Sequence, residues 1–422
     1  MAAISVRDEA TELLQALLRA NTVNPPGNET KAAEVLGAYL EEAGVECELY
    51  ARIPERANLV ARLRGRGGPT LALISHTDTV RADAEEWTLD PWSGELRDGE
   101  IWGRGALDMK SHVAAAAVAV AALAREGFVP AGDVVFVASA DEEVGEGFGL
   151  SWLCANHPDA IRAEYCVNEG GGDRLLIGDR PAYLCGTAEK MSSPFLLRVH
   201  GRSGHASMPG IADNALVRAA RLIQRLAEYR PKTRALPEAQ AFLELVGTSD
   251  LEQLEPPVRA IVEPMLSHSI SPTIIEASKQ RNVIPAVCDV VCDCRLLPGE
   301  TQEEAEAEIR AALGDDHYDL AWLEAVGGTA SPLDTPLWTA IESFVALEEP
   351  GAALAPFVNA GFTDSHFMRE AFGTVCYGFF PMRAMDSELA AALIHSADER
   401  IPVDDLELGT RFLMHVARTL GV

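Results

Sequence analysis

Five places in the chain hold residues able to share a metal: His76-Thr77-Asp78, Asp108, Asp141-Glu142-Glu143, Glu169 and His395. Each is expected just after an apolar, strand-like run. Only histidine, aspartate and glutamate occupy the ligand-capable positions, which suits zinc and similar borderline ions. A mouth lined this way fits two-metal hydrolysis, in which paired cations activate water and polarise an acyl group. A serine nucleophile has no comparable support. Gly201-Arg202-Ser203-Gly204 is not the strand-to-helix elbow that activates serine, and no cysteine sits in a catalytic motif.

The elements that must carry these residues follow from apolar spacing. Val6, Leu13, Leu14, Leu17 and Leu18 predict a helix over 6–19, broken at Asn24-Pro25-Pro26-Gly27. A second helix is expected over 29–43, ending at Gly44. Strand-like runs follow at 46–50, 58–63 and 70–75, the last delivering His76. A long loop with Trp87, Trp92 and Trp102 leads to Asp108, and loops of that length inside a domain are usually functional. The Ala- and Val-rich stretch 110–124 predicts a buried helix. Strands at 134–139 and 164–167 then lead to Asp141-Glu142-Glu143 and Glu169. This alternation predicts an α/β domain with a mainly parallel sheet, whose ligands gather at the carboxyl ends of its strands.

Near residue 188 the texture changes. Strand, helix, two strands, helix and strand are expected over 195–324, a compact inserted α+β domain of ferredoxin-like type. Residues 231–271 carry no clear pattern. Cys288, Cys292 and Cys294 share one face of the strand at 286–295, so they read as a buried face rather than a thiolate site. The domain boundaries are expected at 1–187, 188–326 and 327–422, with the first and last segments forming one α/β catalytic domain.

The chain has 422 residues and a formal net charge of −29, which argues against nucleic-acid or anionic-membrane partners. Its longest apolar run, 113–124, is short of the ~20 residues of a membrane helix. The start reads as an amphipathic helix rather than a secretory signal, and the eight scattered cysteines suggest no disulfides. A cytoplasmic location is expected.

The motifs together resemble the co-catalytic zinc metallopeptidases that include aminoacylases, acetylornithine deacetylase, succinyl-diaminopimelate desuccinylase and glutamate carboxypeptidases. The matching stretches are Ser75-His76-Thr77-Asp78-Thr79-Val80, Gly103-Arg104-Gly105-Ala106-Leu107-Asp108-Met109-Lys110 and Asp141-Glu142-Glu143-Val144-Gly145. They continue through Asn168-Glu169-Gly170, Gly204-His205-Ala206-Ser207, Arg281-Asn282-Val283-Ile284-Pro285 and Gly361-Phe362-Thr363-Asp364, to His395-Ser396-Ala397-Asp398-Glu399. The resemblance spans essentially the whole chain, in the family's order.

It implies two Zn²⁺ per subunit, with Co²⁺ or Mn²⁺ as substitutes. Asp108 would bridge them, His76 and Glu169 completing one site and Glu143 and His395 the other. Asp78 would orient His76 through its second ring nitrogen. Glu142 would act as general base on a zinc-bridged hydroxide. The resemblance places His205 as an oxyanion donor reaching a partner subunit, which implies a homodimer. Asn282 and Arg295 would bind the substrate carboxylate, and Gly361 and Thr363 would line the pocket. A cis peptide is implied at Asp108–Met109. The chain departs from the family at Ser111-His112, where glycines are common. His112, one helical turn past Asp108, either supports that ligand or, as the favoured expectation, caps a polar edge. The implied activity is hydrolysis of the amide of an N-acyl amino acid or small peptide with a free carboxylate, by an N-deacylase or by a dipeptidase or carboxypeptidase. A non-catalytic metal-holding protein on the same fold is the alternative, and its signature would be a lost ligand or a lost Glu142.

Overall fold

A computed structural model describes residues 5–420. The chain divides into two compact units. The first comprises residues up to Thr187 together with Ser331–Pro356 and Thr363 onward. The second comprises Ala188–Ala330 and Phe357–Phe362.

The first unit is built on a nine-stranded mixed sheet. Its centre is parallel: Gly132–Ser139, Gly68–His76, Tyr165–Asn168 and Val375–Gly378 lie side by side in that order. Ala57–Leu63 and then Glu46–Ala51 extend one edge antiparallel. Both faces are covered, so the central strands are apolar throughout rather than alternating. Leu71, Leu73, Val134 and Phe136 enter one core. Ala72, Ile74, Val135 and Val137 enter the other.

The first core also takes the helix Lys110–Arg125, buried from Val113 to Leu123. Its alanines leave room for Val6–Arg19 and Val403–Thr419 to pack beside it. The helices expected at 6–19, 29–43 and 110–124 are thus present, the second as Thr30–Glu42. The long loop before Asp108 is braced by the short strands Glu95–Arg97 and Glu100–Trp102, the latter paired with Arg400–Pro402.

The second unit holds a six-stranded sheet, antiparallel in its recorded pairs. Val287–Leu296 lies inside it, between Phe195–His200 and Ser269–Glu276. Cys288, Val290, Cys292, Cys294 and Leu296 alternate onto a core closed by the helices Ala215–Glu228 and Gln302–Leu313. All eight cysteines are free thiols. The stretch that showed no pattern contains two helices, Pro237–Val246 and Pro256–Leu266. Their prolines occupy first turns, where the missing N–H costs nothing, but Pro264 lies inside the second helix and obscured its periodicity. Among the described residues no helix is long and apolar enough to cross a membrane.

Candidate metal centre

Three of the five clusters stand where parallel strands end. His76 is the last residue of Gly68–His76; Asp141-Glu142-Glu143 follows Gly132–Ser139; Glu169 follows Tyr165–Asn168. Neighbouring parallel strands thereby bring residues far apart in sequence to one edge of the sheet. The other two clusters do not follow strands, which corrects the expectation. Asp108 lies in a turn ahead of Lys110–Arg125, with a cis peptide to Met109 as implied. His395 follows the helix Ser387–Leu393 and has a left-handed backbone, φ +60°. Glycine shapes the approaches. Gly105 adopts φ +91°, and a Cβ there would fall 2.8 Å from Thr79 Cγ2. A Cβ on Gly378 would fall 2.1 Å from the Glu169 carbonyl oxygen.

The side chains converge on Asp108. Its Oδ1 is 3.0 Å from His76 Nε2, and its Oδ2 is 3.0 Å from His395 Nε2. His395 Nε2 is also 3.3 Å from Glu143 Oε2, and His76 Nε2 is 3.8 Å from Glu169 Oε1. Two ligand groups result, His76–Asp108–Glu169 and Asp108–Glu143–His395, each with its donor atoms within 4.8 Å of one another. Asp108 belongs to both. Glu142 belongs to neither; its Oε2 lies 4.0 Å from His76 Nε2.

Charge makes this a cation site. The ion pairs to Asp108, Glu142, Glu143 and Glu169 come from the two imidazoles. Hydrogen bonds to Asp108 and Glu143 push His395 up to about 10. Burial opposes a charged His76, but its bonds to Asp108 and Asp78 outweigh it and raise the imidazole well above its usual range. Burial would likewise raise Asp108, yet the two histidines hold it far below the ordinary carboxylate range. Burial pushes Glu142 well up, reinforced by the Glu169 charge, and it raises Glu169 too, with Asp108 and Glu143 adding to the effect. Glu143 Oε1 is buried without a hydrogen-bond partner, an oxygen that a bound cation would satisfy. Nitrogen and carboxylate donors, excess negative charge and an orphaned oxygen all fit two divalent ions.

Around the ligands lies a buried polar network. His76 Nδ1 is 3.0 Å from the Asp78 backbone oxygen and 3.4 Å from its carboxylate, so the carbonyl is the nearer acceptor. The Asp78 carboxylate instead accepts the backbone N–H groups of Glu142 and Glu143 and the amide of Asn24. Asn24 also donates to Asp141, as does Arg56, whose guanidinium forks onto the fully buried Glu29. Asp141 therefore supports the turn that aims Glu142 and Glu143 apart. Asn24 reads in the sequence only as part of a helix-breaking tract, and nothing there marks Arg56 or Glu29.

Thr363 belongs to the same unit, and its hydroxyl accepts from Asn168, the neighbour of Glu169. His112 does not cap a polar edge. It is half-buried and stacked on Phe380, ring centres 3.9 Å apart, and desolvation lowers its pKa to about 3. A neutral ring in an apolar stack explains why histidine is tolerated there.

The remaining expected residues belong to the second unit. His205 pairs with Val283, and Ala206 N–H donates to the Asn282 carbonyl, so His205 and Asn282 are neighbours. His205 is exposed, and its Nδ1 accepts the Ser207 N–H at 3.2 Å, which leaves the neutral ring's proton on Nε2. Arg295 forks onto Asp293 at 2.9 and 3.0 Å. Gly361 falls in the short segment Phe357–Phe362.

Comparison with known proteins agrees with this picture. The model of peptidase family M20/M25/M40 matches residues 72–419. A succinyl-diaminopimelate desuccinylase of Stenotrophomonas maltophilia is 30% identical over 380 residues, covering 88% of this chain and 89% of that protein. A metallo-carboxypeptidase of Sulfolobus solfataricus shares the fold with a TM-score of 0.75 at 17% identity, covering 98% of this chain and 99% of the other. A dinuclear metal-binding peptidase of Bacillus subtilis does so with a TM-score of 0.66 at 14% identity, covering 98% and 97%. The match runs through every ligand cluster, and the chain belongs to peptidase family M20/M25/M40, as a metal-dependent amidohydrolase.

Proposed function

We propose that the chain is an N-deacylase, removing the acyl group from an N-acyl amino acid that keeps a free carboxylate. The observation that carries this is Glu142, a half-buried carboxylate beside two ligand groups and a member of neither. The desuccinylase named among its relatives favours deacylation over peptide cleavage. Two divalent cations, zinc in the first instance, would be held by His76, Asp108 and Glu169 and by Asp108, Glu143 and His395, and would supply Lewis acidity to water and to the amide carbonyl.

The protein's own groups do the rest. Glu142 takes a proton from the attacking water and returns it to the departing nitrogen, and desolvation together with the Glu169 charge raises its pKa, which makes it a stronger base than an ordinary carboxylate. Asp78 fixes the backbone of Glu142 and Glu143, so base and ligand point apart. His205 Nε2–H donates to the oxygen that gains charge as the carbonyl is attacked. Arg295 and Asn282 hold the substrate carboxylate, with Gly361 and Thr363 beside the acyl chain.

A homodimer accompanies this function, with His205 serving the partner's site. The support is an open sheet edge at Ser269–Glu276 and the exposed apolar residues Met208, Ile211, Ile274 and Ile275. Light scattering of the purified protein tests it.

A panel of N-succinyl, N-acetyl and dipeptide substrates, with and without chelator, tests the activity. Glu142→Gln should abolish turnover while about two metals per chain remain bound. Turnover that survives this change, or survives metal removal, would refute the mechanism.

A further inference from the structure

Glu399 is fully buried and lies one turn past His395. Its carboxylate gathers four donors from the loop that carries Asp108. Oε1 accepts the N–H groups of Leu107 at 2.7 Å and of Asp108 itself at 3.0 Å. Oε2 accepts the Gly105 N–H at 3.0 Å and Arg104 Nη1 at 2.6 Å. The connection also runs back. Arg104 Nη2 donates to the carbonyl of Ser396, next to His395, and the Gly103 N–H donates to the Glu399 carbonyl. One buried ion pair thus ties the Asp108 turn to the His395 turn, almost 300 residues away in sequence.

Neither turn is a strand or a helix interior, so no ladder of backbone bonds fixes either one. A bridging carboxylate must nevertheless present its two oxygens to two groups at once, which demands placement within about 0.5 Å. We infer that Glu399, acting with Arg104, is the positioning residue that sets the bridging carboxylate of Asp108 in register with His395. This rests on the ligand assignment above.

The alternative is a cap that stabilises the fold alone, and the same unit contains one for comparison. Buried Asp405 accepts the N–H groups of Arg383, Ala384 and Met385 at 2.7–2.8 Å and touches neither ligand turn.

Glu399→Gln places an amide donor against at least two of the four donors while keeping the side chain's volume. The metal-free protein is titrated with zinc against a chromogenic chelator, its melting temperature is recorded, and the visible spectrum of the cobalt form is compared. For Glu399→Gln, zinc affinity should fall roughly 10- to 100-fold and the cobalt spectrum should change. Asp405→Asn should lower the melting temperature comparably while affinity and spectrum stay as in the wild type. Wild-type zinc affinity in Glu399→Gln, or an equal loss in Asp405→Asn, would overturn the inference. If Glu399→Gln does not fold, Arg104→Lys decides. It keeps the charge but loses the fork to Ser396, so several-fold weaker zinc binding supports the inference and unchanged binding overturns it. A wild-type protein that binds no metal pair would instead refute the ligand assignment.

Discussion

Metal binding at this centre should expel protons far above the pH at which histidine normally stops competing. An ordinary imidazole is mostly neutral above pH 7, so metal affinity at ordinary histidine sites levels off there. Here Asp108 and Glu143 raise His395 to about 10, and Asp108 and Asp78 raise His76 well above its usual range. At pH 7 the His395 proton is about three pH units from leaving, which as a bare figure opposes binding by about 4 kcal/mol. The His395 side chain is 52% exposed, and solvent screening reduces this to about 2 kcal/mol. The sign is fixed: protonated imidazole cannot ligate, so affinity rises with pH until each metal-free pKa is passed. Between pH 7 and 8.5 the logarithm of the zinc association constant should rise by at least one per pH unit. Calorimetric titration in two buffers of different ionisation enthalpy counts the released protons directly. His395→Ala should release one fewer proton than the wild type. Affinity that is flat above pH 7, with heat independent of buffer, would refute the electrostatic reasoning.

Other consequences can be checked separately. Arg56→Met strands Glu29 and Asp141 as buried charges, and should cost about 3–5 kcal/mol in urea denaturation while leaving the ligand residues in place. Asp293→Ala frees the Arg295 fork and should lower KM for carboxylate substrates roughly two- to five-fold at low salt, whereas Arg295→Ala should raise it, as steady-state kinetics would show. Burial lowers Lys190 to about 8 while its ammonium donates to the Ser267 carbonyl. The unfolded chain holds that proton more tightly, so stability should rise as pH increases from about 8 to 10.5, by about 3 kcal/mol, and Lys190→Met should remove that slope in denaturation curves.

Most of the fold was legible because burial imposes periodicity. The central strands read as apolar runs since both sheet faces are covered, and the Ala-rich helix since every side of it is packed. Cys288, Cys292 and Cys294 were correctly assigned to a buried face from their even spacing. Residues 231–271 were not legible, because two short proline-led helices offer too few turns for a pattern. The stacking of His112 on Phe380 was not legible, because a histidine on a helix gives no sign of the ring that will pack on it.

The sequence by itself determined the donor types, their order along the chain and the delivery of His76, Glu143 and Glu169 by strand ends. These depend on residue identity and local spacing, which the sequence displays directly. Only the tertiary structure decided that the two oxygens of Asp108 face two different histidines, that Glu399 binds the turn carrying it, and that Arg56 and Asn24 brace the turn of Glu142. Those contacts join loops up to about 300 residues apart, where no repeating pattern records a partner and position is set by packing of the whole unit.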